Sequence, residues 1–256
     1  CTIGLCEKGY VDFELSYTAK GGHSSRPGEN FATTMIAKAL IAIQEHPMPY
    51  RVTDTIRRRF KVLAPYMAKE NPELAELLKN PDENLEKLVP YLKKDPALDA
   101  MFHTTVVPTM LSGSAQANIL PAKVTAVVNS RVLEGDTVES VKKHLEEIVP
   151  DEVEVRVLKG SDASPTSLYD GAMKDLLVEI GGKIYGDVIP CPEMMLGGTD
   201  ARFVYDMSDR VYRFSTIYAR EDHHVHAANE FTGVEELADS IDFYMELLTR
   251  YGETAK

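Results

Sequence analysis

The sequence predicts an α+β protein: a ferredoxin-like βαββαβ sandwich carrying a helical insertion, followed by part of an α/β domain. Three observations lead there. Segments with the strand and helix periods follow one another as strand, helix, strand, strand, helix, strand between residues 11 and 157. Three Asn/Asp-Pro steps crowd into residues 53–102 and interrupt that order after its first helix. Past residue 161 the spacing changes to that of helices alternating with single strands.

Each element has its own warrant. Val11, Phe13, Leu15 and Tyr17 alternate with Asp12, Glu14, Ser16 and Thr18, the two-residue period of a strand with one buried face. A turn follows at Gly21-Gly22. Phe31, Met35, Ile36, Ala39, Leu40 and Ile43 recur at helical spacing and predict an amphipathic helix over 30–44. In the insertion, Asn71-Pro72, Asn80-Pro81 and Asp95-Pro96 each put a good N-cap ahead of a Pro at the first helical position. A short helix is expected after each, the group covering a surface. Residues 104–111 and 123–133 read as strands separated by the small, polar stretch 112–118. Asp136 and Glu139 make a capping-box pattern before Val138, Val141, Leu145 and Ile148, and Val153, Val155 and Val157 form a last strand. In the second part, Met173, Leu176, Leu177, Ile180 and Ile184 mark a helix stopped by Gly186. Residues 188–195 and 211–217 read as strands. Thr232 and Glu235 suggest a second capping box, opening a helix with Val234, Leu237, Ala238, Ile241, Met245 and Leu248 on one face.

Composition narrows the function. Lys and Arg number 28 against 40 Asp and Glu, a net charge of −12, with no basic stripe, so nucleic acid is not an expected partner. The longest apolar stretch, 34–43, is broken by Lys38 and falls short of the ~20 residues of a membrane span. Cys1, Cys6 and Cys191 have no paired spacing, which suits free thiols and a reducing, cytoplasmic setting. The chain begins with Cys rather than Met, and the expectation is a product processed or cut from something longer.

The residues able to carry chemistry fall in a few places. His23 lies in Gly21-Gly22-His23-Ser24-Ser25-Arg26-Pro27, just past a strand. His223, His224 and His226 lie beside Glu221, Asp222 and Glu230, a grouping that suits either a divalent metal or a merely polar loop. His46, His103 and His144 stand apart and read as structural or surface residues. Gly197-Gly198-Thr199-Asp200-Ala201-Arg202 after a strand could present backbone amides and a guanidinium to an anion. Arg131 shares a strand face with Lys123, Thr125 and Asn129, a face that could meet a carboxylate or simply water. The zincin, nucleophile-elbow, P-loop and dinucleotide motifs are absent from the sequence.

Taken in order, these segments resemble the metallopeptidase and amidohydrolase family that includes carboxypeptidase S, aminoacylase, carboxypeptidase G and succinyl-diaminopimelate desuccinylase. The resemblance rests on Glu7-Lys8-Gly9-Tyr10, the His23 segment, Asn118-Ile119-Leu120-Pro121, Arg131-Val132-Leu133-Glu134-Gly135-Asp136, the Gly197–Arg202 turn and His226-Ala227-Ala228-Asn229-Glu230. The long insertion and Arg213-Phe214-Ser215 look most like the carboxypeptidase S branch.

That resemblance implies a lid and dimerisation domain over residues 6–160 and the C-terminal part of a two-zinc peptidase catalytic domain over 161–256. It also implies a small peptide or N-acyl amino acid as substrate and a homodimer formed through the lid. By position, His226 resembles a zinc ligand. His23 matches a lid histidine that reaches a neighbouring subunit's site and steadies the oxyanion. Asn118 and Arg131 match lid residues that hold the substrate's carbonyl and carboxylate, while Gly198, Thr199, Asp200 and Arg202 line the pocket. The sequence departs from the family in lacking the H-x-D motif that begins its other metal ligands. The expectation is therefore an N-terminally truncated hydrolase, inactive by itself; the alternative is a non-catalytic dimerisation or binding module on the same fold.

Overall fold

The computed structural model describes residues 1–217, 223–224 and 227–254. Its lid-like part is a four-stranded antiparallel sheet in the order β4-β6-β2-β7, with β2 over Gly9–Thr18, β4 over Thr105–Ser112, β6 over Lys123–Val132 and β7 over Glu154–Ser161. Helices α1 (Ala32–Glu45) and α6 (Val138–Ile148) supply the two crossovers of the βαββαβ order. The alternation along β2 has the expected effect: Val11, Phe13 and Leu15 are fully buried. They meet Ile36, Ala39 and Ile43 of α1, Val141 and Leu145 of α6 and Val124, Ala126 and Val128 of β6 in one core. The opposite sheet face stays partly open, and Arg131 stands on it.

A strand that the periodicity analysis did not anticipate, β1 (Thr2–Glu7), runs parallel to β8 (Cys191–Met195). Ile3 and Leu5 of β1 pack with Leu177 and Ile180 of α7 (Ala172–Tyr185) and with Phe243 and Leu247 of α8 (Val234–Thr254). The backbone passes between these two bodies twice, near Lys8 and again at 161–163. Gly9 sits where the two passages touch. A Cβ there would lie 2.5 Å from the Ser161 carbonyl oxygen and 2.7 Å from the Ala163 nitrogen, both backbone atoms unable to swing aside. Gly9→Ala should therefore lower stability by about 1–3 kcal/mol. Urea denaturation checks this, and an unchanged midpoint would mean that the crossing strands separate freely.

The insertion is helical as expected, with differences in detail. Pro72 and Pro96 open α3 (Pro72–Lys79) and α5 (Pro96–Ala100), capped by Asn71 and Asp95. Asn80-Pro81 instead makes a turn, because the next helix, α4 (Leu85–Leu92), starts only after Asn84. The Asn84 N–H donates to the Asn80 carbonyl, closing that turn. The insertion also holds α2 (Asp54–Met67), whose N-cap Thr53 accepts the Ile56 N–H. Ile56, Phe60 and Ala64 of α2, four residues apart, form a core with Leu78, Leu88, Leu92 and Phe102 that reaches across to Met194 of β8.

Several boundaries differ from expectation for local reasons. The cap of α6 is Thr137 with Ser140, one residue beyond the Asp136/Glu139 pattern, because the Asp136 carboxylate is engaged by Arg51 and Thr104. At α8 the Glu236 side chain accepts the Gly233 N–H, again one residue later than the Thr232/Glu235 pattern. Residues 211–217 form no strand; a single bridge between Arg213 and Gly4 stands in its place. The face of α8 turned inward carries Glu236, Ser240, Phe243 and Leu247, whereas Val234, Leu237, Ile241, Met245 and Leu248 are exposed. Hydrogen bonding explains why polar residues point in: Glu236 pairs with His223 and Ser240 bonds Thr216. Among the described residues no helix is long and apolar enough to cross a membrane.

Candidate functional site

The candidate residues gather at two separate places. The first is a two-stranded ribbon outside the main sheet, β3 (Gly22–His23) paired with β5 (Ile119–Leu120), which sets His23 opposite Ile119. The Ser24 N–H donates to the Asn118 carbonyl at 3.1 Å, so His23 and Asn118 share one exposed tip. The Ser25 N–H donates to His23 Nδ1 at 3.2 Å, and Ser25 Oγ lies 2.8 Å from the same nitrogen. With Nδ1 accepting, the imidazole proton resides on Nε2, which leaves a donor pointing outward.

The second place is at the other end of the four-stranded sheet, beside the crossing strands. From Lys123, next to the ribbon, to Arg131 the strand runs roughly 27 Å at ~3.4 Å per residue. The Arg131 guanidinium lies over the Tyr10 ring, 4.8 Å from its centroid. Tyr10 lines a hinge pocket of about 330 Å³ together with Glu7, Lys8, Ser164, Gly198 and Arg202. Arg202 stacks on Phe203 at 4.9 Å. Among the described residues neither guanidinium has a carboxylate partner, although the chain is rich in acids. On the far side of the turn a cleft of about 750 Å³ is lined by Thr199, Asp200, Met195, Arg213 and Phe214. Thr199 Oγ1 accepts the Ala201 N–H, capping the 3-10 turn over Asp200–Phe203 from which Asp200 and Arg202 project.

A single chain thus brings Arg131, through Tyr10, to the pocket that Gly198 and Arg202 line, with Thr199 and Asp200 on the neighbouring cleft, but holds His23 and Asn118 at the other end of the sheet. The histidine segment separates as well. His223 is buried with Nε2 3.1 Å from Glu236 Oε2 and its ring against Phe231, while His224 sits at φ 54°. His226 lies outside the described residues. Among the described residues no three His, Cys, Asp or Glu side chains come together to hold a metal ion.

Several important residues carried no chemical signal in the sequence. Glu7 and Arg213 form a buried ion pair with Ser164 and Thr199 around it. Lys8 is also buried; its Nζ donates to the Ala100 carbonyl at 2.6 Å and the His103 carbonyl at 2.7 Å. Burial drives the Lys8 pKa down to about 7 against the opposing pull of Asp136 and Asp99. Beside it His103 Nε2 is 2.9 Å from Asp99 Oδ2, and the Tyr50 hydroxyl donates to Asp99 Oδ1 at 2.7 Å. Burial and the Asp99 carboxylate push the Tyr50 phenol far above its ordinary range. Glu7, Lys8 and Arg213 could have been found only as short segments of a known order, and nothing pointed to Ser164.

Comparison with known proteins places this geometry. The peptidase dimerisation domain of the M20 peptidases matches residues 6–156. Curated relatives include the probable carboxypeptidase S-like protein 2 of Dictyostelium discoideum, 25% identical over 253 residues that make up 96% of this chain and 48% of that protein. Another is the human N-fatty-acyl-amino acid synthase/hydrolase PM20D1, 27% identical over 254 residues, 96% of this chain and 50% of that one. The chain spans about half the length of the curated relatives it matches. Among solved structures, an M20 family metallo-carboxypeptidase from Sulfolobus solfataricus superposes with a TM-score of 0.61 at 20% identity, covering 96% of this chain and 59% of that one. A dipeptidase from Saccharomyces cerevisiae gives 0.61 at 16% identity, covering 98% and 56%. At such identities these two likenesses establish the fold.

Proposed function

The chain belongs to the peptidase dimerisation domain family of the M20 peptidases, and from that premise we propose that it supplies the lid and substrate-binding part of a metal-dependent hydrolase. The reaction proposed is cleavage of an amide or peptide bond next to a free carboxylate. In this reading residues 6–160 act as lid and 161–256 as part of the catalytic unit. Arg131 takes the substrate carboxylate in a bidentate pair, and Gly198, Thr199, Asp200 and Arg202 line the pocket. His23 and Asn118, at the distant tip, serve the site of a neighbouring subunit, where the Nε2–H steadies an oxyanion and Asn118 holds the carbonyl.

The metal proposed is zinc, with His226 as one ligand. The described donors do not by themselves fit a metal pair, since no three of them cluster and His223 is engaged by Glu236.

The observation that carries the proposal is two guanidinium groups at one pocket, Arg202 lining it and Arg131 stacked on Tyr10, which lines it, neither with an acidic partner among the described residues. A substrate carboxylate supplies the missing charge. N-acetylleucine should bind ~10–100-fold more tightly than N-acetylleucinamide, the effect of one or two charge-assisted hydrogen bonds. The preference should vanish in Arg131→Ala. Calorimetric titration of both ligands tests this, and equal affinities would remove the carboxylate clamp.

A second reading, a dimerisation or binding module without catalysis, is favoured by the exposed apolar edge of β4. Stoichiometric zinc together with hydrolysis of an N-acyl amino acid supports the enzyme; dimers showing neither support the module. For either reading the proposed contact is a homodimer through β4, where Val107, Met110 and Leu111 are exposed beside Ile41 of α1.

A further inference from the structure

Glu7 and Arg213 are charged and almost wholly buried, at 3% and 7% exposure. Removing two charges from water costs more than one ion pair returns unless further hydrogen bonds complete the geometry. Here they do. Glu7 Oε2 accepts the Thr199 N–H at 3.1 Å and the Thr199 hydroxyl at 2.5 Å, and lies 3.4 Å from Arg213 Nε. Arg213 Nη1 donates to the Leu5 carbonyl at 3.1 Å and the Val211 carbonyl at 2.9 Å, and Nη2 donates to Ser164 Oγ at 2.9 Å. Ser164 Oγ also accepts the Glu7 N–H at 2.9 Å. Apart from the Nη1 bond to Val211, these bonds join Arg213, the end of β1 at Leu5 and Glu7, Ser164 just past the second passage, and the turn that bears Asp200 and Arg202.

We propose that Glu7 and Arg213 are positioning residues: the Glu7 carboxylate, aimed by Arg213 and Ser164, ties Thr199 to the end of β1 and so fixes the turn that presents Asp200 and Arg202 to substrate. The substrate part of this inference rests on the carboxylate-binding reading above. The anchoring is local. Glu7 sits between the hinge pocket and the larger cleft, and its single oxygen sets the backbone of Thr199 and, through the Thr199 hydroxyl, the Ala201 N–H. A neutral side chain of the same shape keeps an acceptor in place but loses the charge that draws Arg213 and both Thr199 donors together.

Amide hydrogen exchange reads the anchoring without any need for activity. In Glu7→Gln, exchange at Thr199 and Ala201 should accelerate at least tenfold while Phe13 and Val128 in the lid sheet keep their protection. N-acetylleucine should bind at least tenfold more weakly. Ser164→Ala leaves both charges in place and removes only the hydroxyl that aims them, so it should accelerate Thr199 by a smaller factor; it decides the matter if Glu7→Gln exposes the lid amides as well. Wild-type exchange at Thr199 in either folded variant overturns the anchoring. Faster exchange with unaltered N-acetylleucine binding upholds the anchoring and overturns the substrate role of the turn.

Discussion

Replacing Met110 with Lys and Leu111 with Glu is expected to turn a dimer into a monomer, weakening association by about 100-fold or more. The reason lies in how β4 ends the sheet. It pairs with β6 on one side only, and its outer edge exposes Met110 at 66% and Leu111 at 67%. An open edge bearing apolar side chains is an invitation to pair with another strand unless charge or a bulge prevents it. The register slips between Pro108 and Met110, but no charged residue lies along β4. The opposite edge, β7, is guarded: Arg156 pairs with Glu14 and Lys159 with Asp12. Two charges on the β4 edge must be desolvated for a partner to approach, at ~1.4 kcal/mol per tenfold loss in affinity. Sedimentation of the wild type and the variant measures this. A wild-type monomer would remove the homodimer altogether, and a variant that still dimerises would place the contact elsewhere. Loss of the dimer would also separate His23 from any second site it serves.

The four-stranded sheet and its two helices were legible because their pattern is simple. Val11, Phe13 and Leu15 alternate in a strand with one buried face, and Met35, Ile36, Ala39 and Ile43 repeat at the helix period, so local spacing and tertiary burial agree. In the second part they diverge. The apolar stripe on α8 is the better amphipathic face by side-chain type, yet the inward row holds Glu236 and Ser240. Hydrogen-bond partners for those two, on His223, Gly233 and Thr216, come from distant or irregular backbone that no periodicity reveals. Helix α2 escaped notice because Arg57, Arg58 and Arg59 and the internal Pro65 obscure the four-residue spacing of Ile56, Phe60 and Ala64. Strand β1 is fully formed only through its pairing with β8, far away in sequence.

The site was partly legible for a related reason. Exposed glycine-flanked segments announce themselves, so the His23 loop and the Gly197-Gly198 turn were visible. Their distribution in space was not: Arg131 and His23 belong to the same sheet neighbourhood by order but to opposite ends by strand length. Glu7, Lys8 and Arg213 have no local pattern at all, since a buried charge is defined by what surrounds it.

Lys8 gives the largest effect expected. Lys8 is 3% exposed, and its Nζ donates to two carbonyls, Ala100 and His103, which a neutral amine with two N–H groups can satisfy. Burial lowers its pKa from the ordinary 10.5 to about 7; Asp136 and Asp99 oppose that shift and Arg131 adds to it. Between those two values the unfolded chain holds a proton that the folded chain has released. Stability contributed by this group therefore rises as pH rises from 7 to 10.5, by up to ~1.4 kcal/mol per pH unit, and is constant below 7, where both states are protonated. Lys8→Met abolishes the slope. Denaturant midpoints converted to free energies at pH 7, 8.5 and 10 should show the wild type gaining several kcal/mol on the variant across the window. Groups such as Cys6 and Tyr50, whose pKa values burial raises, cancel in the difference because both proteins contain them. A pH-independent difference would mean that the two carbonyls and the nearby carboxylates hold Lys8 charged throughout, and that the insertion is clamped to the hinge by an ammonium ion.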